Sequence, residues 1–188
     1  QGPEIRTGNE TVTLISKERV TVTCPPHKEN EGNIHVNYSA LKSDLKPGNY
    51  ISIDSGLVKL KVLGKNKKGL NCEVIDGGIV NGHRHVNLPG TVVKLPGITE
   101  TDKQDILFGI KQKVNFIALS FVRSSETIRE VRELLGKHAE HTEIIAKVEN
   151  QEGVERLEEI VQEADGVMVA RGDLGIEVEL EDVPQIQR

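Results

Sequence analysis

The chain has 188 residues, 28% charged and 36% hydrophobic, with a formal net charge of −5. That balance supports a packed core in one large or two small domains and argues against wholesale disorder. Trp is absent and aromatics are 3%, so the core has to be aliphatic; the acidic balance gives no reason to expect nucleic-acid binding.

No apolar run approaches the roughly 18 residues of a membrane span, and no signal-peptide pattern opens the chain. Cys24 and Cys72 stand far apart in no metal-ligand spacing, which points to free thiols in a reducing, cytoplasmic compartment. Without a secretory signal, the sequons at Asn9-Glu10-Thr11 and Asn37-Tyr38-Ser39 read as chance. Gln1 without a preceding Met reads as a cut end, and Val183 to Arg188 as the start of a further helix.

From about residue 8 to 88 the sequence predicts short strands. Thr11–Ile15, Arg19–Thr23, Tyr50–Ile53, Leu57–Val62 and Leu70–Ile75 alternate or are rich in β-branched residues. Turn signals separate them at Pro25-Pro26, Lys46-Pro47-Gly48, Asp54-Ser55-Gly56 and Asp76-Gly77-Gly78. The basic cluster Lys65–Lys68 reads as a solvated hairpin tip. This spacing suits a small all-β barrel or a sandwich.

After Asn87-Leu88-Pro89-Gly90 the period changes. Thr99-Glu100-Thr101-Asp102 resembles a capping box opening a helix through Ile106, Leu107 and Ile110. The apolar run Asn115–Phe121 is the next strand. Ser124 is placed to cap a helix with Ile128, Val131, Leu134 and Leu135 on one face, ending at Gly136. Glu143–Val148 is a second strand. A helix using Val154, Leu157, Ile160, Val161 and Ala164 leads to a third strand, Gly166–Ala170. Apolar strands alternating with amphipathic helices predict a parallel sheet covered by helices. Ile117, Ile144 and Val167 are separated by 27 (144−117) and 23 (167−144) residues, one β-α unit each. That period fits an α/β barrel or an open doubly wound sheet, and three strands complete neither.

Ligands of parallel α/β folds bind beyond the carboxyl ends of the strands. Those ends carry Ser120 and Arg123, then Lys147, Glu149 and Asn150, then Arg171, Gly172 and Asp173. The two-residue period of a strand points Lys147 and Glu149 the same way, with Asp173 beside them. Two carboxylates from neighbouring strand ends suit Mg²⁺, which fills its octahedron with water and substrate oxygens. A lysine alongside suits a phosphoryl group or a developing enolate. Gly172 leaves backbone N–H open to an anionic ligand. The same residues also suit a surface ion pair and a turn acid, and the spacing favours neither. Other features read as structural: Asp54-Ser55-Gly56 as a hairpin turn and His83-Arg84-His85 as a cationic strand without a third metal ligand. His138 and His141 sit at a helix end, and the acids from Glu177 to Asp182 form a solvated face.

Five blocks carry a family resemblance: Gly2–Gly8, Val86–Gly90, Ala118–Arg123, Lys147–Gly153 and Met168–Glu177. In this order they resemble pyruvate kinase over essentially the whole chain. The resemblance implies an α/β fold, a partial (β/α)8 TIM-barrel segment with an inserted small all-β barrel domain. Residues 1–7 are then a barrel strand end and hinge, 8–88 the inserted lid, and 89–188 the continuing barrel. The implied reaction moves the phosphoryl group of phosphoenolpyruvate to ADP, giving pyruvate and ATP in glycolysis.

Carried over by position, Glu149 and Asp173 match the family's Mg²⁺ ligands. Lys147 matches the lysine acting on the transferring phosphoryl group, and Gly172 with Asp173 the contact to the organic acid. Arg6 matches an arginine facing the nucleotide phosphates. Where the family has a lysine pair and glycine, this chain has His83, Arg84 and His85, with Arg84 keeping the nucleotide-binding charge. Gln1 replaces a lysine, and Glu4 is the residue that accompanies K⁺ dependence.

The resemblance places the K⁺ ligands and a substrate-binding arginine before Gln1, and the threonine associated with enolate protonation after Arg188. The expectation is a part-built site, inactive in the 188-residue chain alone, from a homotetrameric parent enzyme binding neither nucleic acid nor membrane. Two other classes are kept: an aldolase-like Mg²⁺ barrel enzyme of the phosphoenolpyruvate/pyruvate class, and a non-catalytic adhesion module using Arg171-Gly172-Asp173.

Overall fold

The computed structural model describes residues 3–178 and 181–187. Gln1, and Gly2 at the start of the first family block, lie outside the described residues, as do Glu179 and Leu180 of the acid run and Arg188. The chain forms two compact units, one of them Glu4–Lys94 and the other built mainly from Leu95 onward.

The first unit contains β1 (Val12–Leu14), β2 (Arg19–Thr23), β3 (Ile34–His35), α1 (Leu41–Asp44), β4 (Tyr50–Ile53), β5 (Val58–Lys65), β6 (Gly69–Asp76), β7 (Gly78–Val80) and β8 (Val86–Asn87). Six strands form one sheet in the order β3-β2-β6-β5-β4-β8, and β1 pairs with β7. Alternation decides which side chains go inside: Val20 and Val22, Leu60 and Val62, Leu70, Cys72 and Val74 are buried. Short strands β3, β7 and β8 carry too few residues for a period to show in sequence. Arg6 bridges His85, next to β8, while Thr7 bridges Val36, next to β3. The Arg6-Thr7 pair therefore links the two edges of the six-stranded sheet.

The turns follow side-chain chemistry. Asn66 Oδ1 accepts from the amides of Lys68 and Gly69, both at 2.8 Å, and builds the basic hairpin tip between β5 and β6. Gly69 has to be glycine, because a β-carbon there would lie 2.1 Å from the Val22 carbonyl oxygen. The unit extends past residues 8–88 because Arg6 and Thr7 pair into the sheet and the Tyr38 hydroxyl accepts from the Lys94 amide at 2.7 Å.

The second unit contains α2 (Glu100–Lys111), β9 (Phe116–Leu119), α3 (Ser125–Leu135), β10 (Glu143–Val148), α4 (Gln151–Glu155), α5 (Leu157–Glu163), β11 (Gly166–Val169), α6 (Arg171–Glu177) and α7 (Val183–Ile186). Its three strands are parallel in the order β11-β10-β9. The capping box of α2 forms as its spacing predicts: Thr99 Oγ1 accepts from the Asp102 amide, and Asp102 Oδ2 accepts from the Thr99 amide. Ile98, Ile106, Leu119, Ile128, Val131, Leu135, Ile144, Ala146 and Ile160 make the core between sheet and helices.

Several local expectations are corrected. Ser124 precedes α3 but its side chain makes no cap bond; the Ser125 amide is instead met by Glu159 of α5 at 3.2 Å. The third helix breaks at Arg156 into α4 and α5. Leu107 and Val161 are exposed rather than core residues, as are Phe116 and Met168 on the sheet face opposite the helices. A strand apolar on both faces is expected to be covered twice; helices cover only one of these faces among the described residues.

Candidate active site

The carboxyl ends of β9, β10 and β11 lie side by side. Lys147, near the end of β10, pairs in register with Met168 of β11, and the Ala170 amide donates to the Val148 carbonyl at 3.2 Å. The alternation expected of Lys147 and Glu149 is realised, and the two side chains meet: Lys147 Nζ lies 2.6 Å from Glu149 Oε1. The Glu149 side chain is 1% exposed and that of Lys147 is 24% exposed. A carboxylate so deeply buried needs a partner for each oxygen. Lys147 satisfies one, and the Phe121 amide donates to the other, Oε2, at 2.7 Å.

The turn after β9 supplies more. Lys147 Nζ donates to Ser120 Oγ at 3.2 Å, and the Val122 amide donates to the Lys147 carbonyl at 3.3 Å. Phe121 holds a φ of 54°, in the left-handed region that bulky residues avoid. From the other side, α4 begins with Asn150, whose Oδ1 accepts from the Gly153 amide at 2.8 Å. Gly153 passes so close under the turn that a β-carbon would lie 2.6 Å from the Val122 carbonyl oxygen.

Gly172 and Asp173 stand in the first turn of α6, directly after β11, so the tripeptide Arg171-Gly172-Asp173 is helical and not an extended loop. Open space surrounds the position of a Gly172 β-carbon. Asp173 is half-buried. Among the described residues no group of three or more His, Cys, Asp or Glu side chains gathers as a metal cluster. Two carboxylates, one buried and one half-buried at adjacent strand ends, suit a hard ion that keeps water and substrate oxygens in its shell; they do not suit a closed zinc site.

Arg123, the other polar residue after β9, is committed elsewhere: its Nη2 donates to the carbonyls of Leu95 and Pro96, both at 2.8 Å. A cavity of about 240 Å³ lies between α2 and β9, lined by Ile98, Asp102, Ile106, Ile117 and Ser120 among others; Lys147, Glu149 and Asp173 do not line it.

Arg6 and Arg84 belong to the other unit and are brought together there. Arg6 Nη1 donates to the His83 carbonyl at 3.1 Å, while its Nε and Nη2 pair with Glu4. The Thr7 amide donates to the Arg84 carbonyl and the Arg84 amide to Thr7 Oγ1, both at 2.8 Å. Arg84 Nη1 lies 3.7 Å from Asp54 Oδ1, so the predicted turn residue Asp54 also tethers a candidate site cation. His83 and His85 flank Arg84 without assembling a metal cluster among the described residues.

The part of the candidate site that the sequence left unread is the Ser120–Val122 turn. Ser120 was legible only as a polar residue at a strand end, and nothing in the sequence signals a left-handed Phe121.

The family described as pyruvate kinase, barrel domain, matches across residues 1–188. The chain is similar to a protein named pyruvate kinase from Staphylococcus aureus (strain MRSA252), 43% identical over 193 residues, covering all of this chain and 33% of the relative. It is similar also to a pyruvate kinase from Clostridium perfringens (strain 13 / Type A), 41% identical, covering all of this chain and 41% of that relative. The chain thus spans between about a third and two fifths of the length of these relatives.

Proposed function

The chain belongs to the pyruvate kinase barrel-domain family, and from that premise we propose that its residues serve transfer of the phosphoryl group from phosphoenolpyruvate to ADP, giving pyruvate and ATP. The observation that carries the proposal is the buried Lys147–Glu149 pair at the end of β10, beside the strand end that delivers Asp173. Glu149 and Asp173 would hold Mg²⁺, which when bound supplies positive charge to substrate oxygens. Lys147, paired with Glu149 at the end of β10, neutralises charge on the moving phosphoryl group. Gly172, with nothing crowding it, and Asp173 receive the organic acid. Arg6 and Arg84, held together by the Thr7–Arg84 bonds, face the nucleotide phosphates.

The finer architecture belongs to the same proposal. Residues 8–88 form an inserted all-β barrel lid, supported by the linking of both sheet edges through Arg6 and Thr7. Residues 1–7 and 89–188 belong to a (β/α)8 barrel, supported by three parallel strands with their covering helices. A K⁺ requirement goes with Glu4, and a homotetrameric, cytoplasmic enzyme with the family. No helix among the described residues is long and apolar enough to cross a membrane.

The test is a Mn²⁺ titration followed by electron paramagnetic resonance, together with ADP-dependent pyruvate formation in an enzyme carrying all the barrel strands. Glu149→Gln and Asp173→Asn are each expected to weaken Mn²⁺ by about tenfold or more. Lys147→Met is expected to lower turnover by at least about a hundredfold while sparing Mn²⁺. A metal titration unchanged in both carboxylate variants would refute the ligand assignment.

A further inference from the structure

We infer that the turn Ser120-Phe121-Val122 positions the Lys147–Glu149 pair, and that Ser120 keeps the Lys147 ammonium shared between two acceptors. The inference rests on the phosphoryl-transfer reading only for what the pair goes on to do.

Three successive residues each hold a different part of β10's end. Ser120 Oγ accepts from Lys147 Nζ, the Phe121 amide fixes Glu149 Oε2, and the Val122 amide fixes the Lys147 main chain. The first two of these contacts span 27 and 28 residues of sequence and the third joins the same two segments, so all are tertiary and owe nothing to local chain geometry. The turn is itself fastened. Val122 is fully buried, Gly153 leaves no space beneath its carbonyl, and Arg123 ties the next residue to the Leu95 and Pro96 carbonyls. That fastening is what keeps Phe121 left-handed, a conformation that persists only where the surroundings over-determine it.

The consequence for chemistry lies in the competition at Lys147. Its ammonium stands 2.6 Å from Glu149 Oε1 and 3.2 Å from Ser120 Oγ. Ser120 offers a second acceptor, so the ammonium is not wholly spent as the counter-ion of Glu149. Without that hydroxyl, Lys147 closes on Glu149 alone, and a cation that needs Oε1 has to displace a fully committed ammonium. Ser120 is therefore a positioning residue acting through Lys147, and Phe121 one acting through Glu149 by its main chain.

Ser120→Ala and Ser120→Thr in this chain test the assignment with two readouts. The first is nuclear magnetic resonance of the Lys147 ammonium and of the Phe121 amide. The second is a Mn²⁺ titration. Ser120→Ala is expected to shift the Lys147 ammonium resonance, leave the Phe121 amide in place as proof that the turn is intact, and weaken Mn²⁺ by about tenfold. Ser120→Thr, which restores the hydroxyl, is expected to return both towards wild type. An unmoved Lys147 resonance in Ser120→Ala overturns the inference, as does an unchanged Mn²⁺ affinity where the wild-type chain takes up the metal. If the wild-type chain takes up no Mn²⁺, the metal reading fails by itself, and the Lys147 and Phe121 resonances still decide the positioning role.

Discussion

Tyr38 shows how much one side chain settles in the β unit. Its hydroxyl donates to Asp44 Oδ2 at 2.5 Å and accepts from the Lys94 amide, tying α1 to the end of the unit. That hydroxyl, aided by Ser43 and the Lys94 ammonium, holds the Asp44 carboxyl below its ordinary value of 3.8. A lowered carboxylate pKa adds stability that is complete above the unfolded value and is lost as pH falls through the folded one. Tyr38→Phe is expected to cost about 1–3 kcal/mol near neutrality, read as a loss in denaturant midpoint. It should also flatten the dependence of stability on pH below about 4, where Asp44 ceases to contribute. An acid limb as steep as that of the wild type would show that Asp44 does not depend on Tyr38. At the same scale, the meeting of Lys147 and Glu149 was legible from strand period. The contacts of Ser120 and the Phe121 amide were not, because residue type does not say which distant group a hydroxyl or a main-chain amide will meet.

Elements with a complete local signal read well from sequence, while those whose ends depend on distant partners did not. Strands β2, β4 and β10 match their predicted bounds, since alternation and β-branching run right to the flanking turns. Helix α2 starts at its capping box, and Thr99→Ala is expected to destabilise the second unit by about 1 kcal/mol, seen as a lower thermal midpoint. Ser124 has the residue type of a cap, but the Glu159 carboxylate of α5 takes that role, which no local pattern discloses. Leu107 and Val161 satisfy the helical period yet lie exposed, because period marks a face and not the presence of something to cover it. The contact between α4 and the turn after β9 yields a sharper prediction. Gly153→Ala would press a methyl group against the Val122 carbonyl and displace the Ser120–Val122 turn. It is expected to shift the Phe121 amide resonance and to weaken Mn²⁺. An unaltered Phe121 amide in a folded variant would show that the turn absorbs the methyl group elsewhere.

For the whole molecule, the change of period near Asn87 foretold two regions of different class, and the chain does divide into two compact units. Whether three parallel strands belong to a barrel or an open sheet is not a property of their own sequence; the family match carries that choice. Both cysteines are buried in the β unit, and burial raises their thiols, Cys72 to about 12. A disulfide-exchange reagent at pH 8 is therefore expected to label neither thiol in the folded chain, with labelling rates that follow the opening of the unit. Rapid labelling without denaturant would contradict the buried core. The linking of the sheet edges by Arg6 and Thr7 bears on how that unit is reached in folding. The Arg84 amide and Thr7 Oγ1 that help hold this link are 77 residues apart in sequence, whereas the hairpin of β5 and β6 joins neighbouring segments. Closing so long a loop carries the larger entropic cost, so the hairpin can nucleate early while the link waits for the strands between to be in place. The segment that carries Arg6 and Thr7 is synthesised before the strands it joins and reaches its place in the sheet after them.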